Sequence, residues 1–332
     1  MLITRTPLRI SFFGGGTDYP AWYKEHGGMV LSTTIDKYSY ITCRRLPPFF
    51  EYKYLIKYST TEKVRSLGEI QHPSVRECLR FLKFRQGIEA AYSSDVPAMS
   101  GLGSSSAFTV GLLHALYALQ GKTVTKRQLA LDALRVEQTR IRESVGSQDQ
   151  VAAAFGGFNK IVFGGREAFQ VYPLAIAPKR RRALQESLML FFTGVSRTAS
   201  DIAKAQIAAI QRKETNLAEL ARIAEEAERA LLHPSVPLHS FGRLLHESWQ
   251  FKRSVTDKIT TPFIDDMYET ARRAGAVGGK LLGAGGGGFM LFFVPKGKQA
   301  KVRKALSKLL LVPFSFDATG SQLIYYAPAF EA

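Results

Sequence analysis

The residues best suited to chemistry lie in one stretch, PAMSGLGSSSA, from Pro97 to Ala107. Two glycines bracket Leu102, the serines Ser104, Ser105 and Ser106 follow in a row, and an apolar-striped segment, AFTVGLLHALYAL, comes next. Phe108, Leu112, Ala115, Leu116 and Leu119 recur at steps of three and four, the spacing of one helical face. Serine is a favoured N-cap, so the pattern predicts a helix beginning near Ser104 or Ser105, directly out of a glycine loop. The unpaired N–H groups and positive dipole end of such a helix attract an anion, above all a phosphate. A glycine turn before a core helix is the plainer alternative, and no lysine follows the last glycine as a Walker loop requires. Two further glycine clusters tip the balance: FFGGGTDYP near the start and KLLGAGGGGF near the end. Three segments of nearly bare backbone suggest convergence on one polyanionic ligand.

Other candidates are ambiguous on their own. GAGGGG at 283–288 satisfies the dinucleotide pattern, but an apolar strand-like run, FMLFFV, follows it instead of a helix, so the Rossmann reading fails. Asp149, in GSQDQ, reads in isolation as a helix-start carboxylate stabilised by the dipole. Glu137 reads as a solvated helical glutamate. The histidines at 26, 72, 114, 233, 239 and 246 are scattered, and Cys43 and Cys78 show no metal-ligand spacing. A zinc site and a Ser-His-Asp hydrolase are thereby excluded, and His114 is expected to be a packed core histidine.

Taken in order, the three glycine motifs resemble those of the GHMP small-molecule kinases (galacto-, homoserine, mevalonate and phosphomevalonate kinases). Pro97 to Ala107 is similar to that family's ATP-binding motif, Lys280 to Phe289 to its C-terminal glycine motif, and Arg5 to Pro20 to its N-terminal substrate motif. The resemblance implies an α+β, two-domain GHMP kinase fold: an N-terminal ribosomal-protein-like α/β domain and a C-terminal ferredoxin-like α+β domain. ATP and substrate would lie in the cleft between them. It implies that Pro97, Gly101, Leu102, Gly103, Ser104, Ser105 and Ser106 bind the ATP phosphates. Asp149 would be the catalytic aspartate, accepting the acceptor's proton or holding its hydroxyl in line with the γ-phosphate. Arg9 would neutralise transferring phosphate oxygens, and Ser105 with Glu137 would hold Mg²⁺, which favours such sparse oxygen coordination. Adenine is expected between Tyr38 and Ser94.

The same resemblance bears on the acceptor. Gly15, Gly16, Thr17 and Asp18 fall in the substrate motif, and Gly285 and Gly286 in the C-terminal one. Galactokinases carry an acid and a histidine directly before the Thr17-Asp18-Tyr19 run; Gly15 and Gly16 stand there instead, leaving room for a different sugar. GGGTDYP, GSQDQVAAAFGGFNK, FFTGVSRTASDIA and LLHESWQFKR are similar to the branch acting on the anomeric hydroxyl of D-glycero-D-manno-heptose 7-phosphate, which gives heptose 1,7-bisphosphate for nucleotide-activated heptose. A phosphorylated sugar requires cations, and Ser196, Arg197 and Lys280 are candidates for its phosphate. The alternatives left open are a kinase of an unphosphorylated fucose- or hexose-type sugar, and a non-catalytic relative that regulates or binds nucleic acid.

The chain has 332 residues, 45% apolar and 22% charged, with a net charge of +17. That length suggests two domains, placed at 1–183 and 184–332. The basic residues are spread along the chain with no nucleic-acid-binding signature, so ATP and a phosphorylated sugar are the expected partners, not nucleic acid or membrane. A homodimer is left open. The longest apolar runs are far short of the roughly 20 residues that span a bilayer, and the N-terminus lacks a signal peptide's apolar core, so the cytoplasm is the expected compartment.

The elements that must position these residues follow from pattern. Leu2 to Phe13 reads as a strand, Pro20 to His26 as a short helix, and MVLSTTIDKYSYITCRR as one or two strands. Tyr52 to Tyr58 and Ile88 to Ser94 read as strands, with a helix from Pro73 to Phe84 between them. Thr125 should cap a helix carrying Glu137 near its end, and SQDQVAAAFGG a short helix. Phe158 to Leu174 reads as a hairpin turning at Gly164-Gly165, and Lys179 to Arg182 as a basic linker or helix start. In the second half, Leu188 to Phe192, Ala276 to Leu282 and Gly288 to Val294 read as strands. Ala199 to Leu232, Phe241 to Lys252, Pro262 to Ala274 and Gln299 to Leu309 read as helices. Leu311 to Phe316 and Leu323 to Tyr326 are expected to finish that half's sheet.

Overall fold

Two sheets organise the protein in the computed structural model, which describes residues 1–194, 202, 204–205, 207–208 and 214–327. The larger is built on β1 (Leu2–Phe13) and β2 (Gly28–Arg45), paired antiparallel from Leu2↔Cys43 to Phe13↔Leu31. β1 is half covered at its start and wholly buried from Thr6 onward, because α3 (Ser104–Leu119), α7 (Glu214–Leu232) and α8 (His239–Arg253) all pack on it. The short helix α1 (Pro20–His26) joins β1 to β2. Beyond β2 come β5 (Ile88–Ser94), β3 (Tyr54–Lys57) and β4 (Thr61–Val64), with β3 parallel to β5. The helix α2 (Pro73–Phe81) precedes β5.

After α3, the helix α4 (Lys126–Leu134) starts on Thr125, whose hydroxyl accepts a bond from Gln128 N at 3.1 Å. It then widens into a π-helical turn, Arg135–Ile141, which carries Glu137 and stops at Arg142 in the left-handed region. π-Turns of this kind concentrate at functional sites. The helix α5 (Gln148–Phe155) and the hairpin of β6 (Phe158–Phe163) and β7 (Phe169–Pro173) follow, with β6 paired to β2. The basic run Lys179 to Arg182 lies within α6 (Pro178–Glu186), with Pro178 in its first turn, so a helix stands where a linker was one expectation. Residue 183, the expected division, falls inside this helix.

The smaller sheet has the order β11-β8-β10-β9, formed by β8 (Leu188–Phe192), β9 (Gly278–Leu281), β10 (Phe289–Phe293) and β11 (Leu310–Leu311), all antiparallel. Counted along the chain this is 4-1-3-2, with α7, α8 and α9 (Pro262–Ala274) before β9 and α10 (Gln299–Ala305) before β11. That is the ferredoxin-like arrangement. Its two central strands, β8 and β10, read as unbroken apolar runs because both faces are buried. Leu188, Leu190, Leu291 and Phe293 enter the main core, while Met189, Phe191, Met290 and Phe292 alternate into a second core around Trp249 and Tyr268.

Of the two stretches expected to finish this sheet, the first does so only at Leu311, in β11, and the second not at all. β12 (Phe316–Asp317) pairs with β2, and β13 (Gln322–Tyr326) pairs with β1, so the chain returns to the first sheet. Ser321 fixes the return: its hydroxyl lies 2.9 Å from Thr6 Oγ1 and 3.0 Å from Nδ1 of His114, the packed histidine of α3. The helix expected from Ala199 is described over Glu214–Leu232; most of its earlier part lies outside the described residues. No helix among the described residues is long and apolar enough to cross a membrane.

Candidate active site

The glycine loop does open into a helix, but its cap differs from the sequence expectation. α3 begins at Ser104, and the capping residue is Gly103 in the left-handed region (φ 77°), with no side-chain cap bond. The first helical bond runs from Ala107 N to Gly103 O at 2.9 Å, so the amides of Ser104, Ser105 and Ser106 have no helical partner. All three serines, with Gly101 and Gly103, line a cavity of about 160 Å³. A helix end with three free amides thus faces a cavity, with no serine side chain occupied in capping it.

The C-terminal glycine cluster explains why that loop sits where it does. A Cβ on Gly101 would stand 2.4 Å from Leu282 O, one on Gly283 2.5 Å from Gly101 Cα, and one on Gly288 2.2 Å from Ser100 O. The loop therefore lies backbone against backbone on residues 282–288, a contact only glycine permits. Gly283 and Ala284 line the cavity, whereas Gly286 N donates to Ile259 O (2.9 Å) and Gly285 packs on the same backbone. Gly285 and Gly286 thus brace the loop and do not line the cavity.

Arg9 and Asp149 meet at the cavity wall. Arg9 Nε donates to Asp149 Oδ1 (2.7 Å), Nη2 to Oδ2 (2.8 Å), and Nη1 to Gly101 O (2.6 Å). Arg9 is buried at 4% exposure, while the Asp149 side chain keeps 24%. One guanidinium thus holds both the carboxylate and the glycine loop, a fork only arginine provides. Asp149 also lies against Gly103, whose missing Cβ would be 3.4 Å from Oδ2.

Glu137 is buried behind the serines. Ser106 Oγ donates to its Oε2 at 2.9 Å, as does Gln150 Nε2 at 2.5 Å. Ser106 reaches Glu137, whereas Ser105, expected in that place, is exposed and lines the cavity. Burial pushes the Glu137 carboxyl up to about 7, against hydrogen bonds from Thr109, Gln150 and Ser106 that act the other way. The Thr109 hydroxyl is directed to Ser105 O (3.3 Å), and Oε1 is buried without a bond of good geometry. A carboxylate with one unsatisfied buried oxygen suits a divalent cation. Among the described residues no group of three or more acidic, His or Cys side chains could hold a metal, so a cation here would need phosphate oxygens as further ligands.

The cavity is also lined by Gly15, Gly16, Asp18, Tyr19, Lys252 and Lys280. Asp18 is buried and accepts from Gly16 N (2.9 Å) and Gln148 N (3.3 Å); burial raises its pKa, these bonds lower it, and Asp149 adds to the rise. Lys280 is buried and donates to Ser11 O (2.9 Å) and Phe12 O (2.8 Å), so it ties β9 to the end of β1; burial lowers its pKa strongly. Thr17 does not face the cavity: its hydroxyl donates to Gly14 O and Met29 O. Pro97 is exposed outside the cavity and Leu102 is in the core. Ser196 and Arg197 lie outside the described residues. Lys252, in the last turn of α8, was not singled out from the sequence. A lysine at a helix C-terminus reads as a solvated complement to the dipole, and only the fold shows it turned inward.

Residues 73–157 match the family described as GHMP kinases N terminal domain, and residues 232–310 match GHMP kinases C terminal. The chain is 30% identical over 331 residues to D-glycero-alpha-D-manno-heptose 7-phosphate kinase of Campylobacter jejuni, covering 96% of this chain and 97% of that protein. It is 24% identical to a galactokinase of Pyrococcus furiosus, covering 96% of each. Among solved structures, a D-glycero-D-manno-heptose 1-phosphate kinase from Bacteriodes thetaiotaomicron superposes with a TM-score of 0.80 at 24% identity, over 98% of this chain and 100% of that one. That last likeness is one of fold.

Proposed function

The chain belongs to the GHMP kinase family and is an ATP-dependent sugar kinase, and we propose that its acceptor is the anomeric hydroxyl of D-glycero-D-manno-heptose 7-phosphate. The product is then the 1,7-bisphosphate. What supports phosphoryl transfer is the Arg9–Asp149 pair (2.7 and 2.8 Å) beside the N-terminus of α3, whose first amides are free; what favours this sugar is the 30% identity to the Campylobacter jejuni heptose 7-phosphate kinase. One side supplies amides for a polyphosphate, the other a carboxylate that can take and aim a hydroxyl.

The division of labour follows from the geometry. The amides of Ser104, Ser105 and Ser106 hold phosphate oxygens, and the loop stays in place through Arg9 and the glycine contact at Gly283. Both oxygens of Asp149 accept from Arg9, which fixes the carboxylate's position and orientation. Its main work is orientation of the acceptor hydroxyl, in keeping with a loose phosphoryl-transfer transition state where alignment and charge outweigh base strength. Glu137, with the Ser106 hydroxyl beside it, would hold Mg²⁺; Ser105 faces the phosphates. When bound, the ion supplies charge neutralisation to the transferring phosphates. On the acceptor side, Asp18 offers its carboxylate to sugar hydroxyls, and Gly15 and Gly16 leave space where a side chain would narrow the cavity. Ser196 and Arg197 are proposed to hold the distal phosphate.

ADP release measured across a panel of sugars tests the proposal. Turnover of heptose 7-phosphate well above that of free heptose, fucose or galactose supports it. Strong turnover of free hexoses with none of heptose 7-phosphate rejects it.

A further inference from the structure

The sites above leave one cation of the cavity without a task. Lys252 is 8% exposed, and its Nζ makes a single hydrogen bond among the described residues, to Gly283 O at 2.5 Å. The other two N–H groups of its ammonium have no partner there. A buried ammonium served by one carbonyl bears a desolvation cost that an apolar residue at this joint would avoid. Its brace-like neighbour Lys280, by contrast, is fixed on two carbonyls.

Four charged groups face Lys252. They are Arg9 from β1, Asp18 from the loop after β1, Asp149 from α5 and Lys280 from β9. Both carboxylates already have partners: Asp149 in Arg9, Asp18 in the amides of Gly16 and Gln148. The cavity therefore presents three basic side chains, Arg9, Lys252 and Lys280, against two carboxylates, and burial disfavours the charge of both lysines while no anion is bound. An incoming anionic group would correct that imbalance. It has to be the group at the reaction centre, because Lys252 stands with Asp149 and Arg9, while the 7-phosphate sits at the far end of a seven-carbon sugar from the reacting C1 hydroxyl.

We infer that Lys252 is a further catalytic residue, donating hydrogen bonds to the non-bridging oxygens of the phosphoryl group in flight. The inference rests on the kinase reading of this cavity. In the step, the acceptor oxygen bonds to the γ-phosphorus as the bond from that phosphorus to the β,γ-bridging oxygen breaks. ADP leaves with the electron pair, and the hydroxyl proton passes to Asp149. Lys252 keeps its proton throughout and neutralises charge, as the arginine fingers of other phosphotransferases do. Burial first, then Arg9, lower its pKa to about 8, against the opposing pull of Asp18 and Asp149. In the free enzyme the ammonium is therefore lost as pH rises through that value.

Steady-state kinetics of Lys252→Met and Lys252→Arg, with MgATP and heptose 7-phosphate, test this. Lys252→Met should lower kcat about 100-fold, with KM for the sugar within about threefold. Lys252→Arg should retain part of kcat and lose the alkaline fall in kcat/KM that is expected of the wild type near pH 8. A wild-type kcat in Lys252→Met, or an effect confined to KM for the sugar, overturns the assignment. Should Lys252→Met fail to fold, an unchanged alkaline limb in Lys252→Arg overturns it equally. Asp149→Asn in the same assay separates the two levels: if it is inactive while Lys252→Met keeps wild-type kcat, only the role of Lys252 falls. If Asp149→Asn turns over normally, the kinase assignment of the cavity itself falls.

Discussion

Arg9 holds both carboxylate oxygens of Asp149, at 2.7 and 2.8 Å, and with its remaining nitrogen the carbonyl of Gly101 at 2.6 Å. A single residue of β1 thus couples the carboxylate of α5 to the phosphate loop ahead of α3. On the proposed function, a movement of that loop on nucleotide binding would be passed through Arg9 to Asp149, where the acceptor would be aligned.

Arg9→Met should break both links. It leaves a partly buried carboxylate unpaired, a loss of about 3 kcal/mol by comparison with other buried pairs. Thermal unfolding should show a lower Tm, and kcat should fall together with ATP affinity. A variant with normal Tm and normal ATP affinity would refute the coupling.

Glu137 makes stability depend on pH. Burial raises its pKa from 4.5 to about 7, so the folded protein binds this proton more tightly than the unfolded chain. Its contribution is full below about pH 4.5 and is lost as pH rises towards 7. Without metal, Glu137→Gln should unfold at a Tm that declines less than the wild type's between about pH 5 and pH 8. MgATP affinity should drop about tenfold or more. Superimposable Tm profiles would contradict the buried-carboxylate account.

Gly101→Ala forces a Cβ to 2.4 Å from Leu282 O at a residue with φ +83°. The backbone strain alone is about 1–2 kcal/mol, and the clash displaces the loop from its seat on 282–288. Titration with ATP should reveal weaker binding by about tenfold or more, while secondary structure by circular dichroism is kept. Wild-type ATP affinity would show that the seat is dispensable.

Arg197→Ala probes the distal phosphate. Its KM for heptose 7-phosphate should rise about tenfold or more, as expected for a charged hydrogen bond lost, with KM for unphosphorylated heptose little changed. Equal effects on the two sugars would remove Arg197 from that contact.

Much of this architecture was legible in the chain, and the failures have physical causes. The limits of the helix Pro262–Ala274 agree with the sequence expectation, and the structure shows Thr261 capping it, Pro262 opening it and Gly275 closing it in the left-handed region. That the glycine loop opens into a helix is legible in the sequence, but its cap is not. Gly103 stands at the cap position in the left-handed region with no side chain to bond the free amides, which only the fold reveals. Each residue turns a helix by about 100°, so the start of α3 decides whether Ser105 or Ser106 faces Glu137, and the sequence leaves that phase open. The return of β12 and β13 to the first sheet could not be read, since short strands announce their partners only through tertiary pairing. Lys252 was illegible for the same reason: nothing local distinguishes a lysine that enters a cavity from one that caps a helix in water.

Asp149→Asn, assayed for ADP release with MgATP and heptose 7-phosphate beside a direct ATP binding measurement, tests the central claim most directly. The account predicts a fall in kcat of about 100-fold to 10,000-fold, with ATP affinity within about threefold of the wild type. Wild-type turnover in that variant would contradict it.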